Sequence, residues 1–598
     1  GPCGTGPINP RVEARTERRL LYSEWARLAI WYKEQPIQLI RRYFGVKTGL
    51  YFTWLGFYTG MLLLPAIVGI LTAIYGVVML TVNVPVMETC DPKIFGNLVL
   101  CPACKKSCPY DHLSNKCTFS KIVYLFENPA TVAFSIFIAL WATIFMEMWK
   151  RRQAVLKWEW KLSDLDTLSL LLALIAVFGI ITYRIILTGL LLRDKQWRQF
   201  APLTTAITAS TLNLVIILIM DRIYARIAKW LTYVEVPRTE EEYEDRYTVK
   251  MFLFNFFNTY SSLFYIAFFK GRFSGYPGNP GTLFGYSLEK CPGGCLYEVC
   301  VQLAIVMMGK QFFNHLCEIG IPFVKNWWRS RRHEKATSVD RQSLAQWEAD
   351  YDLEPWTTLS LFDEYLEMAV QFGFVTLFAM AFPLAPLFAF LNNVIEIRVD
   401  AYKYTAQLRR PLAQRVPDIG SWQVILKGIS SLAVIVNAFL IAFTSDTIPR
   451  VVYRTTYSSD FSLTGFVNFT LSVFDTSDFE EDARPENATL NGVVIKQCRY
   501  FDYREPPGED NPYSLSLIYW QIFTARLIFV VVFEHIVFAV TGLLDTIIPD
   551  VPRSVQERIK REQIVTQEVF AEYERTGPGT PSEAVPKSPV AAIQPPAE

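Results

Sequence analysis

Apolar stretches separated by charged, Pro-rich or Cys-rich segments recur along the whole chain, and ten of them approach the roughly 20 residues needed to cross a bilayer. They fall at 50–80, 130–149, 167–192, 200–221, 249–269, 298–324, 361–381, 383–400, 424–445 and 516–545. The longest imply tilt or extension beyond the hydrocarbon. Pro383 and Pro386 divide the seventh from the eighth, because proline breaks a helix interior. The pattern predicts an all-α integral membrane protein with ten transmembrane helices over 49–549 and long outer loops at 81–129, 271–297 and 447–515. A segment over 1–48 precedes it; a helix at 550–576 and a Pro/Ala/Ser-rich disordered tail at 577–598 follow.

Sidedness comes from the cations. Lys and Arg cluster in the N-terminal segment and at 150–161, 222–229, 325–335, 398–415 and 553–561, which puts these stretches and both termini in the cytosol. Cys90, Cys101, Cys104, Cys108, Cys117, Cys291, Cys295 and Cys498 then fall outside, where disulfides persist. The sequons at Asn468 and Asn487 lie outside as well. With no cleavable signal peptide evident, the first span serves as the targeting signal. Cys101, Cys104 and Cys108 also have zinc-like spacing, but an even set of external cysteines favours disulfides. Cys291 and Cys295 suit a local pair. The five cysteines of 81–129 are an odd number, so one needs a partner elsewhere, and Cys498 is the one left.

The chain of 598 residues is 51% hydrophobic and 15% aromatic with net charge +1, so nothing points to nucleic acid. Four histidines, no P-loop and no G-x-S-x-G leave little for an enzyme. Acids inside the apolar segments carry the chemistry. Asn314 and Glu318, Glu364 and Glu367, and Glu396 and Asp400 are spaced i,i+3 or i,i+4 on spans six, seven and eight, so each pair shares a helix face. The topology brings all six to the inner third of the membrane, with Asn392 and Asn393 as further carbonyl donors. Unpaired carboxylates in a bilayer cost about 3 kcal/mol each by insertion scales, and hard oxygens in this number suit Ca2+. The alternative is local pairing, for example with Arg398, or placement among headgroups.

These segments, Asn314 to Pro322 (NHLCEIGIP), Glu364 to Met368 (EYLEM) and Asn392 to Asp400 (NNVIEIRVD), resemble the calcium-site motifs of the anoctamins. So do Phe268 to Arg272 (FFKGR), Cys291 to Cys295 (CPGGC), Phe443 to Asp446 (FTSD) and Cys498 to Tyr500 (CRY), and the resemblance runs from about residue 20 to about residue 570. It implies a homodimer of ten-span subunits, opened by cytosolic Ca2+, that conducts ions, lipids or both. It further implies two Ca2+ per subunit in the main site and another between spans two and ten, at Glu147, Asp545 and Asp550. The family carries a folded domain before the first span; the short 1–48 segment and the short linker at 150–166 imply a truncated or joined chain.

Thr204, Thr208 and Thr211 share one face of span four, and Asn255, Asn258 or Thr259, and Ser262 one face of span five. The two stripes suit a hydrophilic furrow for lipid headgroups, or ordinary polar packing of membrane helices. Arg184, Lys270 and Lys310 match basic pore positions of the family's chloride channels, whereas Asn255 stands where those channels resemble one another in having lysine. Gly309 is a candidate hinge in span six, or a packing notch. The expected function is a Ca2+-activated phospholipid scramblase with non-selective ion conduction in the plasma membrane, acting on phospholipids, chloride and other small ions. A Ca2+-activated chloride channel and a calcium-binding tether without transport are the alternatives.

Overall fold

The computed structural model describes residues 17–102, 110–160, 219–272, 275–280, 282–283, 286–287, 295–309, 353–414, 416, 418–480, 484–485, 489–490 and 492–576. Its frame is a helical bundle: α1 (Ile37–Phe44), α2 (Val46–Met79), α3 (Pro129–Trp160), α4 (Glu240–Phe264), α5 (Leu296–Gly309), α6 (Phe362–Leu377), α7 (Ala385–Tyr402), α8 (Ser421–Phe439), α9 (Leu517–Ile547) and α10 (Arg553–Thr576).

Five described stretches are long and apolar enough to cross a membrane: Val46–Met79, Leu113–Leu156, Glu240–Phe269, Ser421–Thr444 and Leu517–Ile547. The span expected at 167–192 and all but the last residues of that at 200–221 lie outside the described residues, and the sixth is described only through Gly309. Helices outrun the apolar stretches because polar caps set their ends. Thr239 accepts from the Glu242 amide at 3.1 Å, with three glutamates in the first turn, so α4 starts nine residues before 249. Asn128 Oδ1 likewise accepts from the Thr131 amide at 3.1 Å and Pro129 opens α3.

α6 is buried on nearly every face and forms the centre, packed against α8; α7 lies along α2. The two helices break at 378–384, around Pro383. Two glycines set close approaches. A Cβ on Gly69 of α2 would stand 2.1 Å from the Pro383 carbonyl oxygen, and one on Gly373 of α6 would stand 2.1 Å from Tyr260 Oη, which donates to the Val370 carbonyl at 2.6 Å. At Gly69 the obstacle is backbone, so only a residue without Cβ fits; at Gly373 any Cβ would have to push the buried Tyr260 ring aside. The face that α9 leaves open, including Leu527, Ile528, Val531, Val532 and Ile536, is apolar.

The expectation of purely helical structure needs one correction. The stretch 447–515, read as a loop, carries strands that form a sheet with those of 81–129. β1 (Val99–Leu100), β2 (Asp111–His112), β3 (Leu471–Asp475) and β4 (Gln497–Phe501) assemble in the order β2-β1-β4-β3, with Leu100 opposite Arg499 in parallel and Cys498 opposite Phe474 in antiparallel register. Alternation in β4 buries Cys498 and Tyr500 and leaves Phe501 exposed; two-residue partners leave almost no periodicity for a sequence to show.

Cys101 is bridged to Cys498 and Cys90 to Cys117. Cys101 is therefore no zinc ligand. Cys295 is disulfide-bonded too, while Cys104, Cys108 and Cys291 lie outside the described residues. Non-reducing peptide mapping should recover Cys101 and Cys498 in one linked fragment that reduction separates. Finding Cys498 alkylated without reduction would contradict the bridge. Asn468 is exposed in the short helix Phe466–Phe469 beside this sheet; Asn487 lies outside the described residues.

Candidate metal centre

A 3-10 turn, Thr358–Leu361, opens α6, and the Thr357 amide and hydroxyl meet Ser360 Oγ at 3.0 and 2.9 Å. This sets the start of α6, placing Glu364 in its first turn, where the helix dipole favours an acid. α7 runs back and brings Glu396 and Asp400 to its last two turns, where the dipole disfavours acids by about 0.3–1 kcal/mol. Glu364, Glu396 and Asp400 are 1%, 1% and 0% exposed, and they offer carboxylate oxygens all within 4.8 Å of one another. Three buried acids this close need positive charge among them, since each buried ion costs several kcal/mol when uncompensated. Lys403 donates to Glu364 Oε1, and Tyr51 Oη of α2 donates to Asp400 Oδ2 at 2.6 Å.

Glu367 is also buried, one turn along α6. Arg398 does not pair with these acids; its guanidinium turns to backbone carbonyls of the segment before α1. Asn314 and Glu318 lie outside the described residues. Asn393 is on the Glu396 face one turn earlier, fully buried, and neither its amide oxygen nor its nitrogen has a hydrogen-bond partner among the described residues. Gln371, which the sequence reading missed, repeats this on α6: buried, seven residues after Glu364, with both amide atoms unpartnered. A buried amide two turns beyond Glu364 and one turn beyond Glu367 was the signal available. Three carboxylates from two helices, with a buried amide oxygen on the α7 face of Glu396, form a hard-oxygen donor set that fits Ca2+, which takes about 6–8 oxygens.

A second group joins α3 to the end of α9. Carboxylates of Glu147, Asp545 and Asp550 approach within 4.8 Å, Glu147 buried and the aspartates exposed. Lys150 Nζ donates to Glu147 Oε1 at 2.7 Å and to Asp545 Oδ1 at 3.3 Å, so this group carries its own counter-ion.

Among the permeation candidates, Arg184, Thr204, Thr208, Thr211 and Lys310 lie outside the described residues, and Gly309 is helical and the last described residue of its segment. The α4 stripe is buried. Asn258 Nδ2 donates to Asp221 Oδ1 at 3.0 Å, and Asn255, with its amide nitrogen toward the same acid, reaches Oδ1 and Oδ2 at 3.1 and 3.3 Å. Ser262 accepts from Gln302 at 2.5 Å, and Thr259 is fully buried. Lys270 pairs with Glu298 at 2.5 Å.

The family described as "Anoctamin: Calcium-activated chloride channel" matches residues 40–169 and 165–562. Anoctamin-4 of Homo sapiens is 43% identical over 624 residues, covering 94% of this chain and 65% of that protein. Anoctamin-1 of Homo sapiens is 41% identical over 662 residues, covering 96% of the chain and 67% of that protein. Anoctamin-5 of Homo sapiens is 42% identical over 629 residues, covering 95% and 68%. The chain thus spans about two thirds of the length of these curated relatives, and it belongs to the anoctamin family.

Proposed function

We propose that the chain is a Ca2+-activated phospholipid scramblase with accompanying non-selective ion conduction, a homodimer of ten-span subunits in the plasma membrane with both termini in the cytosol. The observation that carries the calcium part is the buried convergence of Glu364, Glu396 and Asp400. Glu367, Asn314, Glu318 and Asn393 complete a site for two Ca2+, and Glu147, Asp545 and Asp550 form a third. Without bound cation the acids repel one another; neutralising them favours the arrangement with spans six, seven and eight drawn together and remodels the neighbouring furrow.

The lipid part rests on α4. An anion path calls for cations along its wall, yet the amides of Asn255 and Asn258 meet a carboxylate, Asp221. Hydroxyls, amides and an acid suit a zwitterionic headgroup better than chloride. The family description favours chloride conduction as the second reading.

Reconstitution into liposomes tests both, with fluorescent-lipid movement and chloride flux read in parallel at zero and saturating Ca2+. Calcium-triggered movement of lipid together with ion flux is the expected result. Chloride flux without lipid movement would make the chain an anion channel, and absence of any transport a tether. A lysine at position 255 would be drawn into an ion pair with Asp221. Chloride preference should therefore rise more in the double variant Asn255→Lys, Asp221→Asn than in Asn255→Lys alone.

A further inference from the structure

We infer that the segment ahead of α1, residues 17–35, is a strap that holds the acids of α7 in place, with Arg398 as the positioning residue. The inference rests on the calcium reading above. Arg398 lies two residues from both Glu396 and Asp400, so its side chain leaves α7 on a different face from theirs. It is buried, and it points away from the acids into the strap. Nη1 donates to the Trp25 carbonyl at 2.6 Å, and Nη2 to the carbonyls of Lys33 at 2.8 Å and Trp31 at 3.3 Å. A planar guanidinium with several fixed donors can bridge three carbonyls; a lysine ammonium cannot reproduce that fork.

The strap returns the contact about two turns further on. Arg18, itself buried, donates from Nε to the Thr405 carbonyl at 2.7 Å and from Nη2 to the Leu408 carbonyl at 2.8 Å. Thr405 belongs to the wide turn Lys403–Gln407 that ends α7. Between the two arginines the strap is seated by Trp25, which is fully buried with its ring edge-on to Phe52 at 4.5 Å. The next residue back, Tyr51, is the one whose hydroxyl meets Asp400. The strap therefore grips α7 on either side of Asp400. A helix gripped at two points resists rotation about its own axis, so its carboxylates stay aimed at Glu364 even while they repel one another. Loosening the grip should weaken cation binding.

Terbium alone, a luminescent substitute for Ca2+ sensitised by nearby tyrosine and tryptophan, reads binding on the full chain without any transport assay. Against wild type, Arg398→Met should need roughly five- to tenfold more terbium for half saturation, the lower part of the usual range for coupling between sites. Arg398→Lys should fall between, as a partial rescue. Arg18→Gln, which leaves α7 untouched, should shift affinity in the same direction. Hydrogen exchange over residues 17–35 should slow when terbium binds the wild type, since coupling is reciprocal, and should be fast in the Arg398→Met and Arg18→Gln variants. Faster exchange with unchanged terbium affinity in variants that elute like wild type would mean that the strap is only structural, and would overturn the inference. A wild type that binds no terbium would instead sink the calcium reading, and the strap's role with it.

Discussion

Asp400→Asn should raise the Ca2+ concentration for half-maximal activation by about ten- to a hundredfold, because the affinity of oxygen-ligand sites moves over decades with the number of charged ligands. The substitution keeps the shape of the side chain and an acceptor for Tyr51 Oη, now 2.6 Å from Oδ2. It removes the charge and turns one ligand oxygen into an NH2 donor, at a position with no solvent exposure to supply a substitute. Maximal transport at saturating Ca2+ should survive. A calcium titration of transport in proteoliposomes checks this, and an unchanged midpoint would take Asp400 out of the site. Tyr51→Phe should give a smaller shift, as it loses a single hydrogen bond and no charge.

Lys403→Gln should move the midpoint the other way, lowering it roughly tenfold, the equivalent of about 1.4 kcal/mol. The Lys403 ammonium donates to Glu364 and is the cluster's own counter-ion among the contacts described. An arriving divalent cation must displace it or bear its repulsion. The side chain is 18% exposed, so solvent weakens this repulsion. The same titration decides. A midpoint shifted upward would mean that Lys403 holds Glu364 in position and does not compete with the ion.

What the sequence disclosed depended on how local the signal was. Glu364, Glu396 and Asp400 could be brought together because helical spacing fixes a face and chain order fixes depth; neither needs a partner's identity. Pro383 marked the break between α6 and α7 for an equally local reason. Arg398, the example offered for the alternative of local pairing, has acceptors that no sequence could name: the carbonyls of Trp25, Trp31 and Lys33 are 365 to 373 residues away and are backbone atoms that carry no sequence signal. Asn255 suffered in the same way. Its neutrality was legible, whereas the acid facing it, Asp221, belongs to another helix and adjoins the basic run 222–229 that dominated the charge count. Gln371 and Asn393 differ from each other only in emphasis: the asparagine stood beside recognised acids, and the glutamine fell in a stretch read for its apolar residues.

The meeting of Gly69 with the Pro383 carbonyl turns α6 and α7 into a pair of tweezers. Their joint is pinned against α2, and the acids sit at the open tips. The arm from joint to tip is about 24 Å, for 16 residues at 1.5 Å each. A change of about 2 Å between the carboxylates then needs only about 5° of opening, less than the scatter in ordinary helix crossing angles. So small an angle is absorbed by side-chain repacking and breaks no backbone hydrogen bond. A bulkier residue at position 69 would instead free the joint, letting the arms translate past each other and uncoupling cation binding from the angle between them.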